Sequence, residues 1–431
     1  MLASQIIYTA CGKTKKGDFE TWSKSVDITA IEDEEICKKM SYKRLKEHPP
    51  YPTQKEIDEI FPKKFSYFKL SSGRYCIAMS TYVGKVYSDE DDRSGNYVMH
   101  GYVFDEPKDF VSVDFFAHEM FKQTLSREEW CDIGAPAFLP QVNFPDSTAG
   151  ISDSDLREFF TPARLEKLKL LVQAVRNSLT TDEQVTFHDD YANIPYWYKG
   201  ISLCFDKATQ NELTFCTFFT PGYTNTTANP GAPEIDVKIR NVHPLRPGSP
   251  QFIYQDEAAE GKYAFNFESD ICPANITVSN FVDSIVDFIV RDTDVMKTIV
   301  EEVGAICHKC GVDPDTALNI SYLLKGDLAS LNDNYALIES LIRIFEQYYP
   351  ERIPDTADTI YNYAFRDGRW LLSPSIKFFY NFITENATIV TKADMVTLYL
   401  ENLNAFGVRE GADALEYCRS VKDNVPFARW E

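Results

Sequence analysis

Polar and apolar residues alternate with a period of two in several short stretches near the start of the chain. "SQIIYTA" at 4–10 predicts an opening strand, and "ETWSKSV" at 20–26 predicts a return strand. "SSG" at 71–73 is a predicted tight turn between two further strands. Three stretches are rich in aromatic and β-branched residues and predict the core of a sheet: "KFSYFKL", "RYCIAMSTYV" and "NYVMHGYVF".

Helical periodicity interrupts these strands. "DITAIEDEEICKKMSYK" and "VDFFAHEMFKQTL" repeat apolar residues at helical spacing, so each predicts a helix. Thr53 is a predicted N-cap of a third, short helix after a proline-rich connection. Residues 1–148 therefore predict an N-terminal α+β domain built on a mixed sheet.

The pattern restarts after residue 150. Thr161 and Pro162 suit the N-cap and first position of a helix that continues to about Leu179. The segment 221–250 is rich in proline and glycine and predicts an exposed insertion. Three apolar stretches are predicted strands: "QVTFHDD", "ISLCFD" and "LTFCTFFT". We therefore predict a middle α+β domain at 153–277.

From residue 278 onward, short amphipathic helices and polar turns replace the strands. Gly311 has the position of a helix C′ residue, and Asp313–Pro314 suits the start of the next helix. "NYALIESLIRIFEQYY" is strongly amphipathic. Residues 278–431 therefore predict an α-helical region, and the fold class of the whole chain is α+β.

Composition narrows the classes of function. The 431 residues include 44% hydrophobic and 25% charged residues, as in ordinary globular proteins. No apolar run is long enough to span a membrane, and no signal peptide is evident, so we expect a cytoplasmic protein without membrane contact. The formal net charge of -21 argues against nucleic-acid binding and favours protein partners with basic surfaces.

Three motifs resemble functional sites but are incomplete. "CGKT" at 11–14 imitates the end of a phosphate-binding loop, yet Ile7 occupies the place of the required glycine. The acidic run at 89–92 places its glycine out of step with a calcium loop. "CHKC" at 307–310 has no second cysteine pair to complete a zinc site. We therefore expect no metal centre and no cofactor.

His100 is the most informative polar residue, because it lies within the apolar strand "NYVMHGYVF". Alternation places His100 with Val98 and Tyr102 on one face and Tyr97 with Met99 on the other. Both faces are apolar, which predicts a central strand and a buried histidine. A core histidine that is hydrogen-bonded to backbone or to a tyrosine hydroxyl is our preferred interpretation.

Two alternatives remain open. Cys11 lies beside several lysines that favour a thiolate, and His100 could serve as its base, with Asn96 or an acid of the 89–92 loop as the orienting group. Such a pair would act as a thiol hydrolase or transferase. Alternatively, Tyr82, Tyr97 and His100 would line the pocket of a small-ligand sensor, near Arg93 as a further binding residue.

Several spaced features together resemble a known family. "IIYTACGKTKKGDFETWSKSVDIT" is similar to the start of the bacterial GTPase-associated protein family, in its second type of N-terminal domain. "NIPYWYKGISLCF" resembles the start of the middle domain in the same family. The other residues that match the family pattern are Tyr67, Phe68, Leu70, Ser72, Gly73, Arg74, Tyr75, Arg93, Gly95, Asn96, Tyr97 and His100.

The resemblance implies an accessory protein encoded beside a GTPase in a bacterial conflict or defence-type system. Such a protein would act as an adaptor through protein–protein interaction, and the resemblance implies no catalytic mechanism. Sheet edges, the charged loop at 84–95 and the insertion at 221–250 are the expected contact surfaces. A protein partner, in the first place the neighbouring GTPase, is therefore expected.

Overall fold

The chain divides into two compact units, Met1–Val300 and Glu301–Glu431. The computed structural model describes residues 2–10, 19–45, 48–49, 51–84, 95–106, 112–126, 128–129, 135–181, 183–220, 236–244, 253–332, 334–365 and 376–395. Within these residues the mixed sheet, the mixed α/β middle part and the helical C-terminal part confirm the predicted α+β class.

A single mixed sheet runs through the described part of the first unit. Its strands are β1 (Leu2–Ala10), β2 (Phe19–Lys24), β3 (Lys64–Lys69), β4 (Tyr75–Gly84), β5 (Asn96–Phe104), β6 (Val142–Asn143), β7 (Val185–His188), β8 (Phe215–Phe219), β9 (Ile239–Val242) and β10 (Ala264–Asn266). The strand order is β10-β7-β9-β8-β3-β4-β5-β1-β2, and β6 pairs with β1.

The sheet has two halves that differ in strand direction. In the antiparallel half, β3, β4, β5, β1 and β2 run in alternating directions. In the parallel half, β8, β9, β7 and β10 all run the same way. An antiparallel pair between β3 and β8 joins the two halves, with Ser66 opposite Cys216.

Helices cover both faces of this sheet. Those of the first unit are α1 (Ala30–Met40), α2 (Gln54–Ile60), α3 (Asp153–Phe159), α4 (Pro162–Ser178), α5 (Ile194–Leu203), α6 (Lys207–Glu212), α7 (Ile253–Ala259), α8 (Asn280–Val286) and α9 (Phe288–Arg291), and α10 (Thr293–Cys310) continues into the second unit. Thr29, Thr53 and Thr161 each cap a helix by accepting a backbone N–H bond, so the predicted caps at Thr53 and Thr161 are confirmed.

The two faces of the sheet carry different elements. On one, the Tyr97 face, α1, α2 and α7 contribute Ile36, Ile57 and Tyr254 to a core that also contains Tyr97. The opposite one, the His100 face, is covered by α5 and by residues 112–126, which we name the strap. Phe65 packs edge-on against Phe121 of the strap, at 5.6 Å between ring centroids.

Two predicted elements were wrong. The strap was predicted as a helix, but it contains only the 3-10 turn Ser112–Phe115, and Ala117 has a φ of 57° that interrupts helical geometry. The apolar run at 201–206 was predicted as a strand, but its first residues complete α5. That helix is buried almost all round, and an apolar run without periodicity does not distinguish a buried helix from a buried strand.

A buried ion pair ties the strap to the parallel half. Lys199 of α5 lies 2.6 Å from Asp114 of the strap, and both side chains are largely buried. The predicted boundaries between an N-terminal and a middle domain thus fall within one compact unit and one sheet. The division at 148 and 277 stays a prediction.

The described part of the second unit is helical. It contains the end of α10, then α11 (Pro314–Lys325), α12 (Tyr335–Tyr348), α13 (Ile353–Ile360) and α14 (Ile376–Asn386). Gly311 has a φ of 66° after α10, and Asp313 caps α11 by accepting from the Thr316 N–H, as predicted. None of the described helices is long and apolar enough to cross a membrane.

Candidate functional site

His100 lies in the middle of β5, and its imidazole ring is held on both sides. Nδ1 accepts a hydrogen bond from the backbone N–H of Lys122 at 2.9 Å. Nε2 donates to the Gln5 side-chain oxygen at 3.3 Å, and the Gln5 amide nitrogen donates in turn to the Pro140 carbonyl. These contacts select a single neutral tautomer, with the proton on Nε2.

The surroundings of His100 keep it uncharged. The ring is only 4% exposed, and burial together with the nearby Lys122 ammonium lowers the pKa of His100 to about 3. A general base at neutral pH needs a pKa near the working pH and a free lone pair. The Nδ1 lone pair of His100 is already occupied by Lys122. His100 is thus positioned as a structural hydrogen-bonding residue.

A pocket of about 790 Å³ lies in front of His100. This volume is within the range of small-ligand and side-chain pockets. Most of its walls are apolar or aromatic, and the charged groups lie on the strap and in the segment that follows it. The lining residues include Ile7, Trp22, His100, Tyr102, Met120 and Leu139.

The strap forms one wall of this pocket because tertiary hydrogen bonds hold it there. Tyr102 donates from its hydroxyl to the Met120 carbonyl at 2.7 Å, two residues from the Lys122 N–H that bonds His100. The Lys122 ammonium also pairs with Glu129. Side chains of β5 therefore satisfy strap backbone groups that a helix would have satisfied internally.

The predicted binding tyrosines lie elsewhere. Tyr97 and Tyr82 stand opposite each other on β5 and β4, and both contribute to the core of the Tyr97 face. Tyr97 stacks on Phe19 with ring centroids 4.5 Å apart. His100 belongs to the other face, so the structure does not bring Tyr82 and Tyr97 together with it.

The other candidate residues divide into two groups. Asn96 is buried at the start of β5, four residues and roughly 13 Å along the strand from His100, so Gln5 and Lys122 orient the ring instead. Cys11 and Arg93 lie outside the described residues, as does most of the loop at 84–95 and of the insertion at 221–250. The Cys11–His100 pair stays a prediction.

Four of the described cysteines are poorly suited to replace Cys11 as an activated thiol. Burial raises the pKa of Cys37, Cys76, Cys204 and Cys272, and that of Cys204 reaches about 12. No group of three or more histidine, cysteine or acidic side chains in the described ranges is arranged to hold a metal ion.

Sequence reasoning missed Gln5, Trp22 and Lys122 at this site. Strand alternation does place Gln5 and Ile7 on one face of β1, and Ile7 stands opposite His100. Recognising Gln5 needed only the pairing of β1 with β5. Lys122 carried no such signal, because the strap was predicted to be helical.

Residues 2–143 match the family model for GTPase-associated protein 1, N-terminal domain type 2. This part of the chain is similar to that domain, and we call it the GTPase-associated domain. The GTPase-associated domain ends with β6, so it comprises the antiparallel half of the sheet, the strap and the His100 pocket. The resemblance of "NIPYWYKGISLCF" to a middle domain lies beyond the match and stays a prediction.

The other two comparisons add no relatives of the GTPase-associated domain or of the rest of the chain. Neither the curated proteins nor the solved structures include a match. The family match over residues 2–143 is therefore the finding from which a function can be argued.

Proposed function

We propose that the chain is a non-enzymatic adaptor that binds a protein partner through its GTPase-associated domain. The partner is a GTPase encoded nearby in a bacterial conflict system, and the complex forms in the cytoplasm. The observation that carries the proposal is the family match over residues 2–143, since its description associates such domains with a GTPase.

The site geometry supports binding over catalysis. His100 is neutral, and hydrogen bonds occupy both of its ring nitrogens. The pocket in front of it is walled by Trp22, Ile7 and Leu139, which suits an apolar anchor residue of a protein partner. The net charge of -21 favours a partner whose contact surface is basic.

Exposed apolar side chains lie beside this pocket. The Leu139 N–H donates to the Lys24 carbonyl, which places Phe138 near the end of β2 and near Val26. Phe138 is 62% exposed and Val26 is 78% exposed. Exposed apolar residues next to an apolar pocket are typical of a protein-binding surface.

A binding experiment with purified proteins tests the adaptor function. The chain is titrated with the neighbouring GTPase without nucleotide, with GDP and with a non-hydrolysable GTP analogue. We expect saturable binding in at least one state, and Val26→Lys or Phe138→Lys should weaken it at least about tenfold, the equivalent of 1.4 kcal/mol.

The matched control is Ile389→Lys, which changes another exposed apolar residue, in the second unit, to the same basic residue. It should leave the affinity unchanged, and melting temperatures should show that all variants are folded. Absence of binding in every nucleotide state would count against the adaptor function. Equal weakening by all three variants would argue against the pocket rim as the contact surface.

A further inference from the structure

Three buried polar side chains lie at the carboxyl ends of adjacent parallel strands. His188 ends β7, Asn266 ends β10, and Asn241 is the penultimate residue of β9. His188 is 4% exposed, and both asparagines are fully buried. Asn266 stands beside His188 in the strand register. Buried polar groups need hydrogen-bond partners, so the partners of each side chain show which donors and acceptors remain for a ligand.

The chain leaves these strands over opposite faces of the sheet. After β7 it continues into α5, whose Tyr198 packs on Phe187 and Phe215 on the His100 face. After β9 it continues into α7, whose Tyr254 belongs to the core of the Tyr97 face. Neighbouring parallel strands with connections on opposite faces open a crevice at their carboxyl ends, where ligands of open α/β sheets bind.

Both ring nitrogens of His188 face oxygen atoms. Asn241 donates from its amide nitrogen to the Thr217 carbonyl at 2.9 Å, so its side-chain oxygen is the atom that faces His188 Nδ1 at 3.0 Å. Nε2 lies 3.3 Å from a carboxylate oxygen of Glu268. Two acceptor oxygens on one ring suit a donor at each nitrogen, and the Glu268 contact is an ion pair only when the ring is protonated.

Asn266 supplies a second donor without a partner. Its side-chain oxygen accepts from the Ser269 N–H at 3.2 Å, which defines the orientation of the amide. Its amide nitrogen is buried and has no hydrogen-bond partner among the residues that the structure describes. An unsatisfied buried donor is costly, and an incoming acceptor atom would remove that cost.

Glu268 approaches this cluster from solvent. Its side chain is 49% exposed, although the His188 ring that it contacts is buried. It belongs to a short turn in which Asn266 and Ile271 exchange two backbone hydrogen bonds of 2.8 Å. The Glu268 carboxylate therefore marks a path from solvent to His188 Nε2, and it shows that an oxyanion is accommodated there.

The nearby acid Asp189 does not compete for the same donors. It accepts from the Trp197 indole N–H at 2.7 Å, from the Asn193 amide at 3.2 Å and from the Asp190 backbone N–H. Lys167 pairs with Asp270 at 2.8 Å on the same turn as Glu268, which compensates part of the local negative charge.

We propose that this crevice binds the carboxylate or phosphate group of a small molecule, which takes the place of Glu268 at His188 Nε2 and accepts from Asn266. Glu268 is then a built-in competitor that occupies the site when no ligand is bound. The site uses no residue of the GTPase-associated domain, so it is independent of the adaptor function.

Nuclear magnetic resonance of the full chain with ¹⁵N-labelled histidine tests this site. Inorganic phosphate and acetate are titrated separately at constant ionic strength, with chloride as the balancing anion. We expect a saturable shift of the His188 signal, while the His100 signal stays constant. Saturation by phosphate alone or by acetate alone would identify which oxyanion source fits.

Glu268→Gln removes the competitor and should tighten binding roughly threefold to fivefold, the contribution of a half-exposed ion pair. The matched control is Glu260→Gln, another exposed glutamate in an ion pair, there with Lys262, and it should leave the affinity unchanged. Asn266→Asp should abolish binding in a chain whose His100 signal is unaltered. Absence of a saturable His188 shift in Glu268→Gln, or equal affinities in the two glutamate variants, would overturn the proposal, whether or not Asn266→Asp folds.

Discussion

The two halves of the sheet each bury a histidine, and the two rings have different partners. In the antiparallel half, His100 accepts from one backbone N–H and donates to one amide oxygen. In the parallel half, His188 faces an amide oxygen and a carboxylate oxygen. Both rings are 4% exposed, so burial does not distinguish them. The two rings are distinguished by whether their partners donate or accept hydrogen bonds.

This difference follows from where each ring lies along its strand. His100 is in the middle of a central strand, where Gln5 of β1 and the Lys122 N–H of the strap provide partners for both ring nitrogens. His188 is the last residue of a parallel strand, where the ladder ends and side chains of the following turns take over. The carboxyl end of the parallel strands thus leaves the Asn266 amide nitrogen without a partner among the described residues, while the centre of β5 gives both nitrogens of His100 a partner.

The largest expected loss of stability tests whether the two halves of the sheet unfold in one cooperative transition. Lys199→Met leaves Asp114 buried without its partner, and burial already raises the pKa of Asp114 even beside the ammonium. We expect a loss of about 3–5 kcal/mol in the free energy of unfolding. Hydrogen exchange in urea, read separately on peptides of β5 and β7, should show both halves losing protection together.

The matched control for this variant is the double change Asp114→Asn with Lys199→Met. It removes both charges, so it should recover at least half of the lost stability. If β7 loses protection while β5 keeps it, the two halves are separate folding units. His100 and His188 would then belong to different domains. That outcome would favour the predicted boundary near residue 148.

The pH dependence of stability tests the neutral state of His100. Its pKa in the folded chain, about 3, is below the ordinary value of 6.5, so the unfolded chain binds more protons between these values. Stability should therefore fall as pH decreases, by about 2 kcal/mol between pH 7.5 and pH 5. His100→Gln keeps one acceptor and one donor, and it should lose this part of the pH dependence.

Urea unfolding of both chains at several pH values provides the measurement, and all other titrating groups cancel in the difference. Parallel pH profiles for the two chains would show that His100 takes up a proton in the folded state as readily as in the unfolded state. That result would reopen its use as a base.

Most elements of the fold could be predicted from short-range patterns in the sequence. Aromatic and β-branched residues identified β3, β4 and β5, and the caps at Thr53 and Thr161 are short-range hydrogen bonds that depend on neighbouring residues. The strap was mispredicted because its backbone is held by Tyr102 and His100, which lie on a different element. Contacts between distant elements leave no periodic pattern in the sequence.

The candidate site was less predictable than the fold. Alternation correctly separated His100 from Tyr97, yet the hydrogen bond from His100 to Gln5 depends on the register of β1 against β5. At His188 the sequence predicted only a strand, since the crevice depends on a strand order in which β9 lies between β7 and β8. Such an order is set by long-range pairing.

The smallest expected effect concerns Glu268 and sharpens the contrast with Asp114. The Glu268–His188 contact is half exposed on the carboxylate side, so Glu268→Gln should cost less than about 1 kcal/mol of unfolding free energy. The cost should shrink further in 0.5 M salt, because exposed charges are screened. Urea unfolding at low and high salt, with Glu260→Gln as control, measures both quantities. A loss comparable to that of Lys199→Met would instead make Glu268 a permanent counter-charge of His188, and a carboxylate needed for folding could not give way to a ligand.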